Sequence, residues 1–296
     1  RNAREKGAEP VVNFRSSGTH TWPYWQFEVS QAWPTLADAL QLPESDRGAV
    51  CRVGGEIEKA VASLPGIGTC LSDEYGVAKN GVAQDFTGGT AYWHPDSGAH
   101  VVWGRIGSRY NELGGPSSPL GYPVTNELAT PDGSGRFVHF EKGSIYWTPE
   151  GGAHEVTGDI MNVWGKAGFE TGPLGYPVAN HRDIPGGVAQ DFQGGTIVKI
   201  GGEEPRIVRG EIGRVYKELG GAESDLGLPV DGDEVKLARG AFQRFEHGAI
   251  YWTPETGAQP VRSNDITDHW GSTGYENGPF GYPVGPLQPV KAGGLE

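Results

Sequence analysis

The sequence has few cysteines and no long apolar run, and these absences narrow what the protein can be. Only 2 of the 296 residues are Cys, and the 8 His residues form no His-x-x-x-His pair, so we expect no metal and no cofactor. No apolar stretch reaches the roughly 18–20 residues of a membrane-spanning helix. A net charge of −13 argues against nucleic acid as a partner, because phosphates require a basic surface.

Glycine is what the sequence has in excess, at 49 residues, and some of these glycines recur at a nearly constant spacing. A four-residue motif places its glycine at positions 68, 121, 175, 227 and 281. A period of about 50 residues is typical of an array of small units that bury their apolar faces against neighbours. The five copies are Ile67-Gly68-Thr69-Cys70, Leu120-Gly121-Tyr122-Pro123, Leu174-Gly175-Tyr176-Pro177, Leu226-Gly227-Leu228-Pro229 and Phe280-Gly281-Tyr282-Pro283.

One unit can be interpreted residue by residue around the second copy of the motif. Ile106 and Tyr110 are four apart and share one face of a short helix. After the turn, residues 136–140 and 144–147 predict two strands joined by a three-residue hairpin with a left-handed glycine. Residues 153–156 predict a third strand. Each unit is therefore predicted to be a short helix, a tight turn and a three-stranded meander.

The array is offset at its two ends. Residues 49–53 resemble a third strand without the two strands before it, and the fifth unit reaches only its turn. We therefore predict a mostly β fold with short helices, in which five units form a closed, propeller-like ring of pseudo-five-fold symmetry and the two ends complete one unit. An open solenoid is the alternative.

The two cysteines fall in the first unit, Cys51 on the partial strand and Cys70 in place of the proline of the turn. They are either two buried free thiols or a disulfide. We favour the disulfide, because each cysteine lies at a corresponding repeat position in one unit. Such a bridge implies an oxidising, extracytoplasmic environment.

Residues 1–42 carry no trace of the repeat, and residues 43–48 read as a linker to the array of residues 49–296. A strand, a loop with a histidine and a closing helix are typical of the C-terminal end of an α/β-hydrolase. Gly18-Thr19-His20-x-Trp22 and Tyr24-Trp25 resemble the histidine loop of mycolyltransferases. The repeated turn resembles the LGFP repeat family, which is often appended to such enzymes.

The resemblance implies that His20 is an orphan catalytic base. No Gly-x-Ser-x-Gly motif occurs in this sequence, so the chain alone is not expected to be an enzyme, because a histidine without a nucleophile cannot perform acyl transfer. The parent enzyme would transfer mycolyl groups from trehalose monomycolate. It would be secreted to the cell wall or outer envelope of a mycolic-acid bacterium, and the chain would be a monomer whose partners are arabinogalactan and its own catalytic domain.

Recurrent aromatic and amide side chains are the candidates for glycan contact, because sugars stack on aromatic faces and bind planar polar groups. Weak sites on a repeated polymer could add through avidity. Neighbours on a strand face opposite sides, so one residue of each aromatic pair is expected in the core. The candidates are Tyr92, Trp93, Tyr146, Trp147, Tyr251, Trp252, Gln84, Gln190 and Gln243.

Two other functions are compatible with the composition. The array could be an interaction module that docks on the catalytic domain or on another envelope protein without a sugar site. A glycosidase could use a pair of carboxylates, such as Asp73-Glu74 or Glu203-Glu204. The acidic pairs lie in turn-like surroundings and do not recur with the period, which argues against the glycosidase.

Overall fold

The computed structural model describes residues 51–285 and a few positions between 29 and 41. The described positions from 29 to 39 are helical, as predicted for that stretch. The predicted strand and histidine loop before it, with His20, lie outside the described residues, as does the linker. None of the helices in the described part of the chain combines the length and apolar character that a membrane crossing needs.

A short helix opens each unit, directly after an extended residue. In the first four helices the first residue is a glycine with φ between 55° and 61°, which lets a strand turn straight into a helix. The fifth helix instead begins with a capping box, in which Asn264 accepts from the backbone N–H of Thr267 at 3.1 Å. The helices are α1 (Gly55–Ala62), α2 (Gly104–Glu112), α3 (Gly158–Lys166), α4 (Gly210–Glu218) and α5 (Asp265–Ser272).

Four antiparallel sheets follow the first four helices, each with its strands in chain order. Each sheet has four strands, not the predicted three, because a two- or three-residue strand pairs with the outside of the meander. So short a strand shows no alternation in the sequence. The sheets are β1 (Tyr75–Gly76), β2 (Val82–Phe86), β3 (Gly89–His94) and β4 (Gly98–Trp103); β5 (Leu128–Ala129), β6 (Arg136–Phe140), β7 (Gly143–Thr148) and β8 (Gly152–Thr157); β9 (Arg182–Ile184), β10 (Gly187–Phe192), β11 (Gly195–Ile200) and β12 (Arg206–Arg209); β13 (Val235–Lys236), β14 (Ala241–Phe245), β15 (Gly248–Thr253) and β16 (Gly257–Arg262).

The central hairpins correct one detail of the sequence interpretation. In the second unit Phe140 pairs with Gly143, so the loop has two residues instead of three. Gly143 is not left-handed. A Cβ on it would lie 2.6 Å from the carbonyl oxygen of Val156. The glycine is therefore required by the close approach of the next strand, not by its φ angle.

Each of the three middle helices, α2, α3 and α4, lies between two sheets, and the core is divided among these layers. α2 contacts β3 and β4 of the preceding sheet and β7 and β8 of its own, and α4 repeats this with its two sheets. Trp164 on α3 shows the consequence: it is fully buried between Tyr146 of the preceding sheet (4.7 Å between ring centroids) and Phe192 of its own sheet (5.3 Å). Adjacent units therefore share one continuous apolar core.

The repeated turn is held from both sides. Its glycine has φ between 64° and 78° in all five copies, which is the left-handed region that favours glycine. An aromatic donor on the helix binds the carbonyl oxygen of that glycine, for example Tyr110 to Gly121 at 2.8 Å. From the other side, the hairpin residue Glu141 donates its N–H to the carbonyl of Tyr122 at 3.0 Å. The equivalent helix-to-turn bonds are Trp164 to Gly175, Tyr216 to Gly227 and Trp270 to Gly281.

The disulfide predicted in the first unit is confirmed. Cys51 and Cys70 are bonded, with 6.0 Å between their Cα atoms. Residues 51–53 occupy the place of a preceding last strand, because Gln84 donates to the carbonyl of Arg52 at 3.0 Å in the same way as later glutamines bind later strands. The bridge therefore ties this partial strand to the turn of the first unit.

The fifth helix and turn are not covered by a sheet within the described residues. Ile266 is 63% exposed and Phe280 is 64% exposed, whereas Ile212 and Leu226, at the same positions of the fourth unit, are 1% and 2% exposed. The described units thus form an open array. The segments that would complete a fifth unit, residues 1–50 and 286–296, lie largely outside the described residues, so the closed ring stays a prediction.

Candidate functional site

The tyrosines of the predicted aromatic pairs lie between units. Tyr92, Tyr146 and Tyr251 are only 6%, 4% and 7% exposed. Tyr146 meets Trp164 of the next helix edge-on, and Tyr251 meets Trp270 in the same way at 5.0 Å. Burial raises the pKa of each of these phenols above its ordinary value. The tyrosines are therefore part of the core between units.

The tryptophans of the same pairs point to the opposite face of each sheet and are half-buried. Trp93, Trp147 and Trp252 each have an alanine as the paired residue on the last strand of their sheet. Such a small neighbour leaves part of the indole uncovered. In the third unit the position belongs to Lys199, whose Nζ lies 3.0 Å from Asp159 on the unit's own helix. The described array therefore carries, at one equivalent place in three units, a partly exposed indole that packs against the core of its own unit.

The glutamines proposed as glycan contacts are buried, and their side-chain NH₂ groups are already bonded to backbone carbonyls. Gln84, Gln190 and Gln243 are at most 1% exposed. The amide of Gln190 donates to the carbonyl of Glu155 in the preceding unit at 2.7 Å and to that of Ala179 in its own loop at 3.1 Å. An amide buried in this way has no surface to offer an external sugar. We therefore assign these glutamines to the junctions between units.

The tyrosines of the repeated turns also connect units. The hydroxyl of Tyr122 donates to the carbonyl of Ala78 in the preceding unit, and its ring stacks on His94 at 4.6 Å. The hydroxyl of Tyr176 donates to Asp132 at 2.6 Å. Burial, followed by this hydrogen bond, raises the pKa of Tyr176 to about 12. This agrees with the structural role that Leu228, an aliphatic residue at the same place, indicates from sequence alone.

A buried ion pair in the second unit was missed by the sequence interpretation. The guanidinium of Arg109 donates to both carboxylate oxygens of Glu155, at 2.8 and 3.1 Å, and Glu155 is 2% exposed. Its hydrogen bonds to this carboxylate raise the pKa of Arg109. The equivalent pair in the third unit is apolar, Val163 and Ile207, which pack in one cluster. An alignment of the repeats shows that a charged pair in the second unit stands where the third unit has two apolar residues, and this would have indicated the ion pair.

Within residues 51–285, no group of three or more His, Cys, Asp or Glu side chains is arranged to hold a metal ion. The acidic pairs at 73–74 and 203–204 supply local bonds instead: Asp73 accepts from the backbone of Arg52 at 2.8 Å, and Glu203 pairs with Arg206. His20, predicted as the orphan base, lies outside the described residues.

The fold and its shared core define a tandem-repeat protein of small helix–turn–sheet units. A family comparison agrees: the model described as "LGFP repeat" matches residues 67–118, 120–172, 174–224 and 226–278, which is most of the chain. The chain belongs to the LGFP repeat family. Each matched repeat begins at the repeated turn of one unit and ends just after the helix of the next unit. The fifth turn therefore falls outside the last match. A search of the curated proteins gave no match.

Proposed function

We propose that this array is a cell-wall-binding module that attaches its parent protein to envelope polysaccharide, with arabinogalactan as the ligand. The observation that carries the proposal is the partly exposed indole at one equivalent place in three units. The net charge of −13 disfavours anionic polymers and is compatible with a neutral one. A polymer with repeated sugars matches a protein with repeated sites, because several weak contacts add through effective concentration.

The decisive experiment is a pull-down of the chain with purified arabinogalactan, with dextran as the control polymer. Trp93→Ala, Trp147→Ala and Trp252→Ala are expected to weaken binding singly by a few-fold and together by about a hundredfold, as expected for avidity. Phe280→Ala is the matched control, since it removes an exposed aromatic ring outside this set. Equal retention on both polymers, or a triple variant that binds like the parent, contradicts the proposal.

The resemblance of residues 1–42 to mycolyltransferases extends the proposal to the parent protein. We propose a secreted enzyme that transfers mycolyl groups from trehalose monomycolate and is held at its substrate by this array. The Cys51–Cys70 disulfide supports an extracytoplasmic location. This chain alone is expected to be inactive, because its sequence offers His20 no nucleophile. Mycolyl transfer from trehalose monomycolate by the purified chain would refute this.

A second candidate function rests on the fifth unit, which no sheet covers within the described part of the chain. A cavity of about 330 Å³ lies there, and its lining includes Val261, Ile266, Trp270 and Phe280. An apolar surface of this kind fits docking on the catalytic domain, on another envelope protein, or on the remaining part of a closed ring. Phe280→Glu would separate this candidate from the first: it is expected to disrupt docking and to leave retention on arabinogalactan unchanged.

A further inference from the structure

Two exposed aromatic residues adopt a backbone conformation that aromatic residues rarely take. Phe169 and Tyr275 follow α3 and α5 with φ angles of +52° and +50°, and they are 39% and 49% exposed. At the same place the second and fourth units have Gly115 and Gly221, with φ of +57° and +61°. The fold therefore requires a left-handed residue here and accepts glycine. A bulky residue in this conformation calls for a reason beyond folding.

A helix glycine lies directly beneath each ring, and only the third and fifth of the described units have a glycine at that helix position. A Cβ on Gly165 would lie 2.7 Å from the ring of Phe169, and a Cβ on Gly271 would lie 2.8 Å from the ring of Tyr275. Each ring also meets the tryptophan of its helix edge-on, with centroids 5.4 Å apart in the third unit and 5.3 Å apart in the fifth. The rings are therefore held in fixed orientations while much of their surface stays in solvent.

The same glycine also leaves a phenol of the preceding sheet free. In the first sheet the hydroxyl of Tyr92 donates to Asn111 on the next helix at 3.0 Å. The position of Asn111 is Gly165 in the third unit, and the hydroxyl of Tyr146 has no hydrogen-bond partner among the described residues. Removing the asparagine side chain thus seats the aromatic ring and frees a polar group beside it.

A buried carboxylate completes the group. Glu170, next to Phe169, is only 9% exposed and has no hydrogen-bond or ion-pair partner within the described residues. The pKa of the Tyr146 phenol is raised first by burial and next by the negative charge of Glu170. Phe169 and Tyr146 both contact Trp164, with ring centroids 5.4 and 4.7 Å from it, so the acceptor next to Phe169 and the phenol lie on the same side of this unit. Neither group is sealed from solvent, so both are available to water or to a ligand.

The fifth unit repeats the arrangement, except that Glu276 is more exposed than Glu170 and accepts from the side-chain amide of Asn277 at 2.8 Å. Tyr275 replaces Phe169, Glu276 replaces Glu170, and Tyr251 of the fourth sheet replaces Tyr146. After burial, the charge of Glu276 is the first cause that raises the pKa of Tyr251, followed by Tyr275. The second and fourth units have Pro116 and Ala222 at the position of the acid. The aromatic residue, the acid and the seating glycine therefore occur together or not at all.

We propose that Phe169, Glu170 and Tyr146 form a subsite for one sugar residue of a neutral glycan, and that Tyr275, Glu276 and Tyr251 form a second. The apolar C–H face of the sugar lies on the aromatic ring, one hydroxyl donates to the carboxylate, and another accepts from the phenol. The carboxylate excludes anionic ligands. This inference rests on the proposed function and identifies where the glycan is held.

Replacing both rings by the residue of the other units tests the subsites directly. Phe169→Gly with Tyr275→Gly gives the third and fifth units the glycine of Gly115 and Gly221, so the backbone is expected to fold as before. Retention on arabinogalactan is expected to fall by about tenfold or more, since two linked contacts are lost. The matched control is Phe169→Tyr with Tyr275→Phe, which exchanges the two rings and should bind like the parent.

A second variant reaches the same site without touching the backbone strain. Glu170→Ala with Glu276→Ala removes the acceptors and is expected to weaken binding by about fivefold or more, as expected for a lost charged hydrogen bond. If the parent chain binds arabinogalactan and both double variants bind equally well, the subsites are wrong and the proposed function stands. If the parent binds neither arabinogalactan nor dextran, the proposed function and the subsites fail together.

Discussion

The third and fifth units begin alike and end differently. Both have a tryptophan on the helix that donates to the glycine carbonyl of the turn at 3.1 Å, and both have a left-handed aromatic residue between them. Yet Leu174 in the third turn is fully buried, whereas Phe280 in the fifth is 64% exposed. The difference is the sheet, which the third unit has and the described part of the fifth lacks.

The comparison teaches that the helix and turn are specified locally but stabilised from outside. The local bonds are the same in both units, so they cannot account for the difference in burial. The sheet of the unit itself covers the turn with a phenylalanine and closes it with backbone hydrogen bonds, as Phe192 and Gln193 do in the third unit. Burial of one leucine or phenylalanine contributes about 1.5–3 kcal/mol, more than one turn hydrogen bond does.

Truncating the turn residue should break this comparison most visibly. Leu174→Ala is expected to lower the free energy of unfolding by about 3 kcal/mol, since it leaves a cavity between two layers. Phe280→Ala is expected to change it by less than about 0.5 kcal/mol, as for an exposed residue. Urea unfolding of both variants measures the difference. Equal losses would mean that the fifth turn is covered in solution, as a closed ring requires.

The disulfide sharpens the comparison at the other end of the array. Within residues 51–285 the first unit has no preceding sheet either, but Cys51–Cys70 holds residues 51–53 in the place of its last strand. Cys51→Ser with Cys70→Ser is expected to cost about 3 kcal/mol for a loop of this length. Hydrogen exchange should show the loss in α1 and β2 and not in α4. Uniform loss of protection along the chain would contradict a local tether.

Removing the buried amide of Gln190, which bonds two adjacent units, should lower stability by a smaller amount. The described part of the fifth unit has no equivalent residue. Gln190→Val, the residue that Val138 provides in the second unit, leaves the carbonyls of Glu155 and Ala179 without their donor. We expect a loss of about 2 kcal/mol. Thermal unfolding measures it, with Gln193→Ala as the control for an exposed amide, since that side chain accepts from the N–H of Tyr176 at 3.1 Å. A loss no greater than that of the control would show that the junction does not depend on this amide.

The helix-to-turn bond should give a loss of about 1 kcal/mol, because Tyr110→Phe removes only the hydroxyl that reaches the carbonyl of Gly121. Tyr75→Phe is the control, since the hydroxyl of Tyr75 is bonded to Asp85 at the surface. The midpoint of urea unfolding measures both. If the two variants are equally stable, the bond is no more important inside the array than at its surface.

Acid should have the smallest effect, at the junction of the third and fourth units. Burial alone would raise the pKa of Asp191, but the hydroxyl of Thr196 and the cations of Arg182 and Lys217 together lower it. A lowered pKa in the folded state adds stability at neutral pH that is lost as the pH falls below about 4. Asp191→Asn should flatten this dependence by less than about 1 kcal/mol. An unchanged pH profile would mean that the charge of Asp191 does not stabilise the contact between the third and fourth units.

Much of one unit could be predicted from the sequence. The errors of that prediction have physical causes. The helix around Ile106 and Tyr110, the turn at Gly121 and the long strands were predicted because periodicity and glycine spacing are local signals. The strand Leu128–Ala129 was not, because two residues carry no pattern. The roles of the glutamines were missed because an amide on a strand looks the same whether it faces solvent or a neighbouring carbonyl.

The candidate site was less predictable than the fold. The recurrence of the Tyr–Trp pairs was evident, and so was the expectation that one residue of each pair is core. The structure packs both residues: the helix of the next unit covers Tyr146, and Trp147, which stays partly exposed, packs against the core of its own unit. The left-handed conformation of Phe169 was not predicted. The only sign of it in the sequence is that glycine, as Gly115 and Gly221, occupies the same position in the second and fourth units.

The repeating unit, its length and its turn can be read from the sequence, because they follow from local backbone preferences and from the spacing of apolar residues. Which copies are covered, and which polar groups are left without a partner, depends on how the units pack in the folded chain. Burial depends on what the neighbouring unit places against a residue, and two nearly identical segments, those of Trp164 and Trp270, therefore have different surroundings in one chain.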